Sequence, residues 1–189
     1  MRRLLPLTVL CRIVTAVSAG STTVIPPSFA TLVARAGTIF VGEVMDVRAE
    51  WESTREGRSI ITLVTFRVSD VWKGTVGPVT QLEFLGGTIG DVSMVVAGMP
   101  RFTLGQRDVL FVGTTARAIS PLVGFMHGRM RVERDGSGVE RVRTFDGHAL
   151  GSVAQIGPQR EAARLAGVAP MRLSDLAAAV RVEMNARGR

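Results

Sequence analysis

Through the middle of this chain, from Thr38 onward, apolar and polar residues alternate, while the segments on either side repeat every third or fourth residue. Phe29, Leu32, Val33 and Ala36 share one helical face, with Ser28 placed as an N-cap and Gly37 as the stop, so a short helix is predicted over residues 29–36. β-branched and aromatic residues then predict strands near residues 38–48, 59–72, 79–85, 93–97, 107–114, 128–134 and 139–145. The second is the clearest: Ile60, Thr62, Val64, Phe66 and Val68 line one face, Arg67 and Ser69 the other. The charged run over residues 50–58 reads as a solvated hairpin loop, which makes the first two strands antiparallel. Asp135-Gly136-Ser137-Gly138 predicts a second hairpin, because aspartate and glycine accept the backbone angles of tight turns.

Short strands with turn signals and little helix between them predict a mostly β fold, a small OB-like antiparallel barrel with Greek-key character. Beyond Gly157 the composition shifts to Ala, Arg, Gly and Pro, and Ser174 is placed to cap a last helix bearing Leu176, Val180 and Met184. The expected organisation is a leader over residues 1–19, a β-barrel domain over 20–157, and a linker with a C-terminal helix over 158–189.

The leader reading rests on Arg2 and Arg3, the apolar stretch from Leu4 to Leu10, and the small residues Val17-Ser18-Ala19 before Gly20. It predicts an exported protein, periplasmic or extracellular. An uncleaved anchor would need about 20 predominantly apolar residues, and Arg12 interrupts this segment. A lipid-accepting cysteine belongs at a leader's end, whereas Cys11 sits in its middle.

Cleavage changes the composition that matters. It removes the single cysteine of the 189 residues, so the mature chain depends on packing and backbone hydrogen bonds without a crosslink. It also lowers the formal charge of +7 to about +4, as Arg2, Arg3 and Arg12 depart. The remaining basicity is arginine, with Lys73 the only lysine. Scarce lysine, the lone Asn185 and the absence of tyrosine fit a GC-rich bacterial coding sequence rather than a nucleic-acid binder. No membrane-spanning segment is expected after cleavage.

Catalytic signatures are missing from this pattern. There is no thiol, no Gly-x-Ser-x-Gly elbow and no serine with an evident histidine and acid, and Ser120 before Pro121 reads as a turn residue. His127 and His148 are separated in sequence, and Asp146 is the one acid near either, so no metal site is predicted. The loop Gly86-Gly87-Thr88-Ile89-Gly90 lacks the Lys-Ser or Lys-Thr of a phosphate cradle and reads as a mobile connection between strands. No cofactor is predicted.

Two constellations point to binding. Arg129 and Arg131 alternate along one strand and Arg141 and Arg143 along the next, so the Asp135 hairpin would gather four guanidinium groups into a cationic stripe for an anionic polymer. The competing reading is a solvated face balanced by Glu133 and Glu140. The second constellation is apolar: Met94, Val96, Met99 and Phe102, with Val95 and Pro100 between them, are either a partner-binding surface or core and turn. Leu122-Val123-Gly124-Phe125-Met126 carries the same two readings.

The run Phe66-Arg67-Val68-Ser69-Asp70-Val71-Trp72-Lys73-Gly74, preceded by Ile39-Phe40-Val41-Gly42-Glu43-Val44 and followed by Leu104-Gly105 and an apolar strand, resembles the netrin-like modules of tissue inhibitors of metalloproteinases. The resemblance covers residues 38–114 and implies an OB-like five-stranded barrel. Those inhibitors use an N-terminal cysteine held by disulfides, which this chain lacks, so none of their functional residues transfers. The expected function is a non-enzymatic exported module of a bacterial envelope that binds a protein or an anionic polymer. The alternatives are a metalloprotease-inhibitor-like module and an unrecognised hydrolase.

Overall fold

The computed structural model describes residues 25–54, 57–113, 119–157 and 168–187. The predicted leader and most of the predicted linker lie outside these residues. The described chain is mostly β, with one helix near each end.

Helix α1 (Phe29–Arg35) starts where expected, with the Ser28 hydroxyl accepting from the Thr31 amide at 3.2 Å. It does not end on Gly37. Ala36 is already extended, at φ −69° and ψ 126°, and the chain passes directly into β1 (Ala36–Thr54). β1 pairs antiparallel with β2 (Gly57–Lys73) over nearly its whole length, so most of the predicted loop over residues 50–58 is strand. Trp51 pairs with Ile60 there, and the Arg58 guanidinium lies 4.6 Å from the Trp51 ring, which explains how a charged stretch keeps extended pairing.

β3 (Val79–Leu85) follows beside β2, and β4 (Gly87–Ile89) with β5 (Val92–Met94) forms a separate two-stranded sheet. The chain then returns so that β6 (Arg107–Gly113) lies beside β1, followed by β7 (Arg129–Arg134) and β8 (Glu140–Thr144). The strand order β3-β2-β1-β6-β7-β8 leaves β3 and β8 as edges, so no ladder among the described residues closes the sheet into the expected barrel. The β7–β8 hairpin turns at Asp135 as predicted. The Asp135 carboxylate accepts from the Ser137 and Val139 amides at 2.9 and 3.0 Å and from Arg141 Nε at 2.8 Å. These bonds, led by those from Ser137 and Arg141, hold its carboxyl far below the ordinary range.

At β6 both faces of the sheet are covered, so this strand reads as the unbroken apolar run Val109-Leu110-Phe111-Val112 rather than an alternation. One face, with Val41, Phe111, Met130 and Val142, packs under α1 and α2 (Leu173–Arg187) through Leu32, Leu176 and Val180. The other gathers Phe40, Phe66, Phe84 and Leu110, with Met99 and Phe102 from the β5–β6 connection packed against them. α2 begins one residue ahead of the predicted cap, so Ser174 lies in its first turn. Leu176, Ala177 and Val180 of this helix are part of the same core.

The Lys73-Gly74 pair has a local physical cause. Lys73 Nζ donates to the Val33 carbonyl at 2.7 Å, placing its charge at the C-terminal end of α1. Gly74, at φ +72°, passes so close to the Gly37 carbonyl oxygen that a Cβ would collide with it. Gly74→Ala is therefore expected to cost more than the about 1–2 kcal/mol of a left-handed alanine alone. Lys73→Met should cost only about 0.3–1 kcal/mol. Thermal unfolding of the two variants side by side checks the order.

Candidate functional site

The apolar segment and the glycine-rich loop come together at one cleft. Gly86 is fixed from both sides, its amide donating to the Ile60 carbonyl at 2.7 Å and its carbonyl accepting from Thr62 Oγ1 at 2.6 Å. Gly87, at φ +145°, lies so close to β2 that a Cβ would sit 2.6 Å from Thr62 Oγ1. Only glycine lets the chain leave β3 at this point and start β4 directly on the β1–β2 hairpin. The predicted mobile connection is thus an anchored hairpin, closed across β4 and β5 by Thr88 and Ser93, whose hydroxyls lie 3.1 Å apart.

From Met94 the chain runs back over the end of β3. The Met126 amide donates to the Gly98 carbonyl at 3.2 Å, and Phe102 enters the core. Its ring meets Phe66 edge-on at 5.4 Å and Phe84 at 5.0 Å. Between this segment and the sheet lies a cavity of about 570 Å³. Met94, Val96, Met99 and Phe102 all line it, with Val47, Phe84 and the Gly86-Gly87 backbone opposite. The one charged lining residue is Arg101, exposed and without a carboxylate partner among the described residues. Met99 and Phe102 are anchored in the core, while Val95, 77% exposed, stands at the rim. The other apolar segment is structural: Leu122 and Val123 are buried, and the Ser120 hydroxyl accepts from the Leu122 amide at 3.2 Å in the turn.

The arginine stripe is assembled but largely neutralised. Arg131 lies directly across from Arg143, and Glu133 from Arg141, so period two does put these residues on one face. Arg143 Nε is 2.5 Å from Glu133, and Arg141 Nε is 2.8 Å from Asp135. Arg129 departs furthest from the expected surface stripe. It is 2% exposed, its Nε 3.0 Å from Asp108, which is 0% exposed. Its guanidinium carbon stands 4.3 Å from the Phe102 ring centre, and Nη1 donates to the Arg101 carbonyl. Arg129 is therefore interior because the β5–β6 segment covers this end of the face. Burial pushes the Asp108 carboxyl up against the opposing pull of Arg129 and Arg131. Asp108 Oδ2, Arg129 Nη2 and Arg131 Nε have no hydrogen-bond partner among the described residues, so the cluster carries an unrecovered desolvation cost.

Sequence reasoning missed Asp108, although a lone acid between Arg107 and Val109, on the inward parity of Leu110, was its signal. It also missed Thr62, Phe84 and Arg101, which become cleft residues only through the fold of β4 and β5. The histidines stand apart in role: the His127 ring packs edge-on against Phe145 at 5.3 Å, and His148 Nε2 lies 3.8 Å from Asp146. Among the described residues no group of three His, Cys, Asp or Glu side chains is placed to hold a metal, and no helix is long and apolar enough to cross a membrane. No family model, curated protein or solved structure matches the chain.

Proposed function

We propose that this protein is an exported, non-enzymatic binding module of a bacterial envelope, and that its cleft holds an extended apolar segment of another envelope or secreted protein. The cavity behind Met94 and Val96 carries this reading. An apolar wall from Met94 to Phe102, with one cation that has no carboxylate partner among the described residues, suits an apolar segment bearing a carboxylate, which Arg101 is placed to receive. An extended conformation is favoured by the adjoining edge strand. The Leu85 amide points away from β2, to the Ile119 carbonyl at 3.2 Å. The amides of Gln81 and Glu83 share that parity and also point away from β2, with no partner among the described residues.

The anionic-polymer reading of the stripe is weaker, because Arg129, Arg141 and Arg143 each have a carboxylate of this chain at hand. The OB-like, netrin-like kinship belongs to the proposal as architecture alone. In its favour stand the order β6-β1-β2-β3, a Greek-key succession, and a β2 that ends in Trp72-Lys73, followed by Gly74. Fold analogy does not extend to protease inhibition.

The test is capture from envelope extract followed by titration of the captured segment as a synthetic peptide. Met94→Asp and Val96→Asp put a charge into the apolar wall and should weaken the peptide by at least about tenfold. Arg131→Ala and Arg143→Ala should leave it unchanged, and high salt should weaken only the Arg101 contribution. Binding that survives both cleft variants, or the recovery of no segment at all, overturns the reading.

A further inference from the structure

A second recess lies away from the cleft, where the ends of β2 and β6 meet the start of β8 and the first turns of α2. It has a volume of about 580 Å³ and adjoins another of about 520 Å³, with which it shares Ser69, Arg107 and Glu140. Five arginines line the combined groove, Arg67, Arg107, Arg134, Arg172 and Arg181, against three acids, Glu43, Asp70 and Glu140. Two of these acids are paired with arginine, and the third is hydrogen-bonded to a neutral donor and keeps its charge. Glu43 lies 4.0 Å from Arg67, Glu140 pairs with Arg107 and lies 3.6 Å from Arg134, and Asp70 accepts from the Trp72 indole nitrogen at 2.7 Å. Arg172 and Arg181 are left with no carboxylate among the described residues.

These two arginines are brought to the same recess by backbone structure. The Val142 amide donates to the Met171 carbonyl at 3.0 Å, and Arg172 bridges to Arg141, so the segment before α2 is fixed to the edge of β8. Ser174, Ala177 and Arg181 then follow at helical spacing and share the face of α2 that borders the recess. Arg107 forms part of the recess wall, held there by Glu140 and by its bond to Ser69 Oγ at 3.1 Å.

We propose that this recess binds a phosphate group, held by Arg172 and Arg181, which have no carboxylate partner among the described residues, with Arg107 lining the pocket beside them. Five arginines against three acids leave a surplus of two positive charges. Guanidinium groups match the paired oxygens of a phosphate, whose charge of about −1.5 to −2 near neutral pH fits the surplus. The recess exceeds one phosphate in size, leaving room for the chain of a phosphate-bearing polymer. The proposal does not depend on the occupant of the apolar cleft.

Calorimetric titration of the mature protein with inorganic phosphate and, separately, with polyphosphate tests it. Arg172→Ala and Arg181→Ala, both at exposed positions, should each weaken phosphate by about tenfold, and Arg143→Ala on the hairpin should not. Polyphosphate that binds more tightly than phosphate, with the same sensitivity, identifies a polymer ligand. Equal affinity per phosphate identifies the free ion. No saturable binding of either, or binding indifferent to Arg172→Ala and Arg181→Ala in variants whose thermal unfolding matches the parent, overturns the proposal.

Discussion

Asp108→Ala is expected to lower the unfolding free energy by about 3–5 kcal/mol, because it strands the Arg129 charge in the interior. For a chain of this size that corresponds to a fall in Tm of roughly 6–20 °C. Arg129 has no route to water, being 2% exposed beneath the Phe102 ring. The pair itself is not a large net stabiliser, since three polar atoms around it lack partners among the described residues. Replacing both members at once, as Asp108→Leu with Arg129→Met, should therefore recover most of the loss. The Asp108 carboxyl is raised above its unfolded value, chiefly by burial, so the folded chain holds this proton more firmly than the unfolded one. Its contribution to stability is fully present below the ordinary aspartate range and declines as pH rises from there through the raised value. Asp108→Asn, which keeps an acceptor without the charge, should cost less than alanine and flatten that part of the pH profile. Denaturant unfolding of the three variants across the acid range reads both effects.

Phe66→Ala should be comparably severe, at about 3–5 kcal/mol. Phe66 is fully buried and meets Phe40 at 6.1 Å and Phe102 at 5.4 Å, so its removal opens a void that neither ring can fill without leaving its strand or segment. Gly42 sharpens this expectation, because a Cβ there would lie 3.1 Å from Phe66 Cβ, and that closeness leaves little slack for collapse. The consequence reaches the cleft, since Phe102 is both a neighbour of Phe66 and a wall of the cavity. A double-mutant cycle between Phe66→Leu and Phe102→Leu should show a coupling of about 0.5–1.5 kcal/mol. Additivity of the two would mean that the cleft wall and the core are independent.

What could be read from the residues alone follows from which forces are local. β3 was predicted over the residues it occupies, and the Asp135 hairpin formed because an aspartate carboxylate can satisfy its own turn. α1 began at Ser28 for the same reason, yet its end depended on β1 drawing Ala36 into the sheet. Period two placed Arg131 beside Arg143 correctly, but alternation says which residues share a face and not what covers it. Arg129 and Asp108 become neighbours through the β6–β7 register, and they are interior because the β5–β6 segment lies over them. The charged stretch after Ala49 reads as loop by composition, because cross-strand pairing such as that of Trp51 with Ile60 is set by the register of the hairpin and not by charge. Of the candidate site, its apolar wall from Met94 to Phe102 was legible. Its opposite wall was not, since Thr62, Phe84 and Gly87 meet it through a hairpin that composition disguised as a flexible glycine run.

The most direct measurement of the cleft's role is photocrosslinking from its rim. Placing a benzophenone side chain at Val95, which lines the cavity and is exposed, and a second one at Arg143 on the hairpin gives two reporters on separate surfaces of one protein. Irradiation in envelope extract, followed by mass-spectrometric mapping of the crosslinked segment, should give an extended apolar stretch with an acidic residue from Val95. That product should persist in high salt and disappear with Met94→Asp, with no corresponding product from Arg143. Crosslinks that arise from Arg143 alone, or a Val95 product that Met94→Asp leaves undiminished, would contradict the cleft as the binding surface.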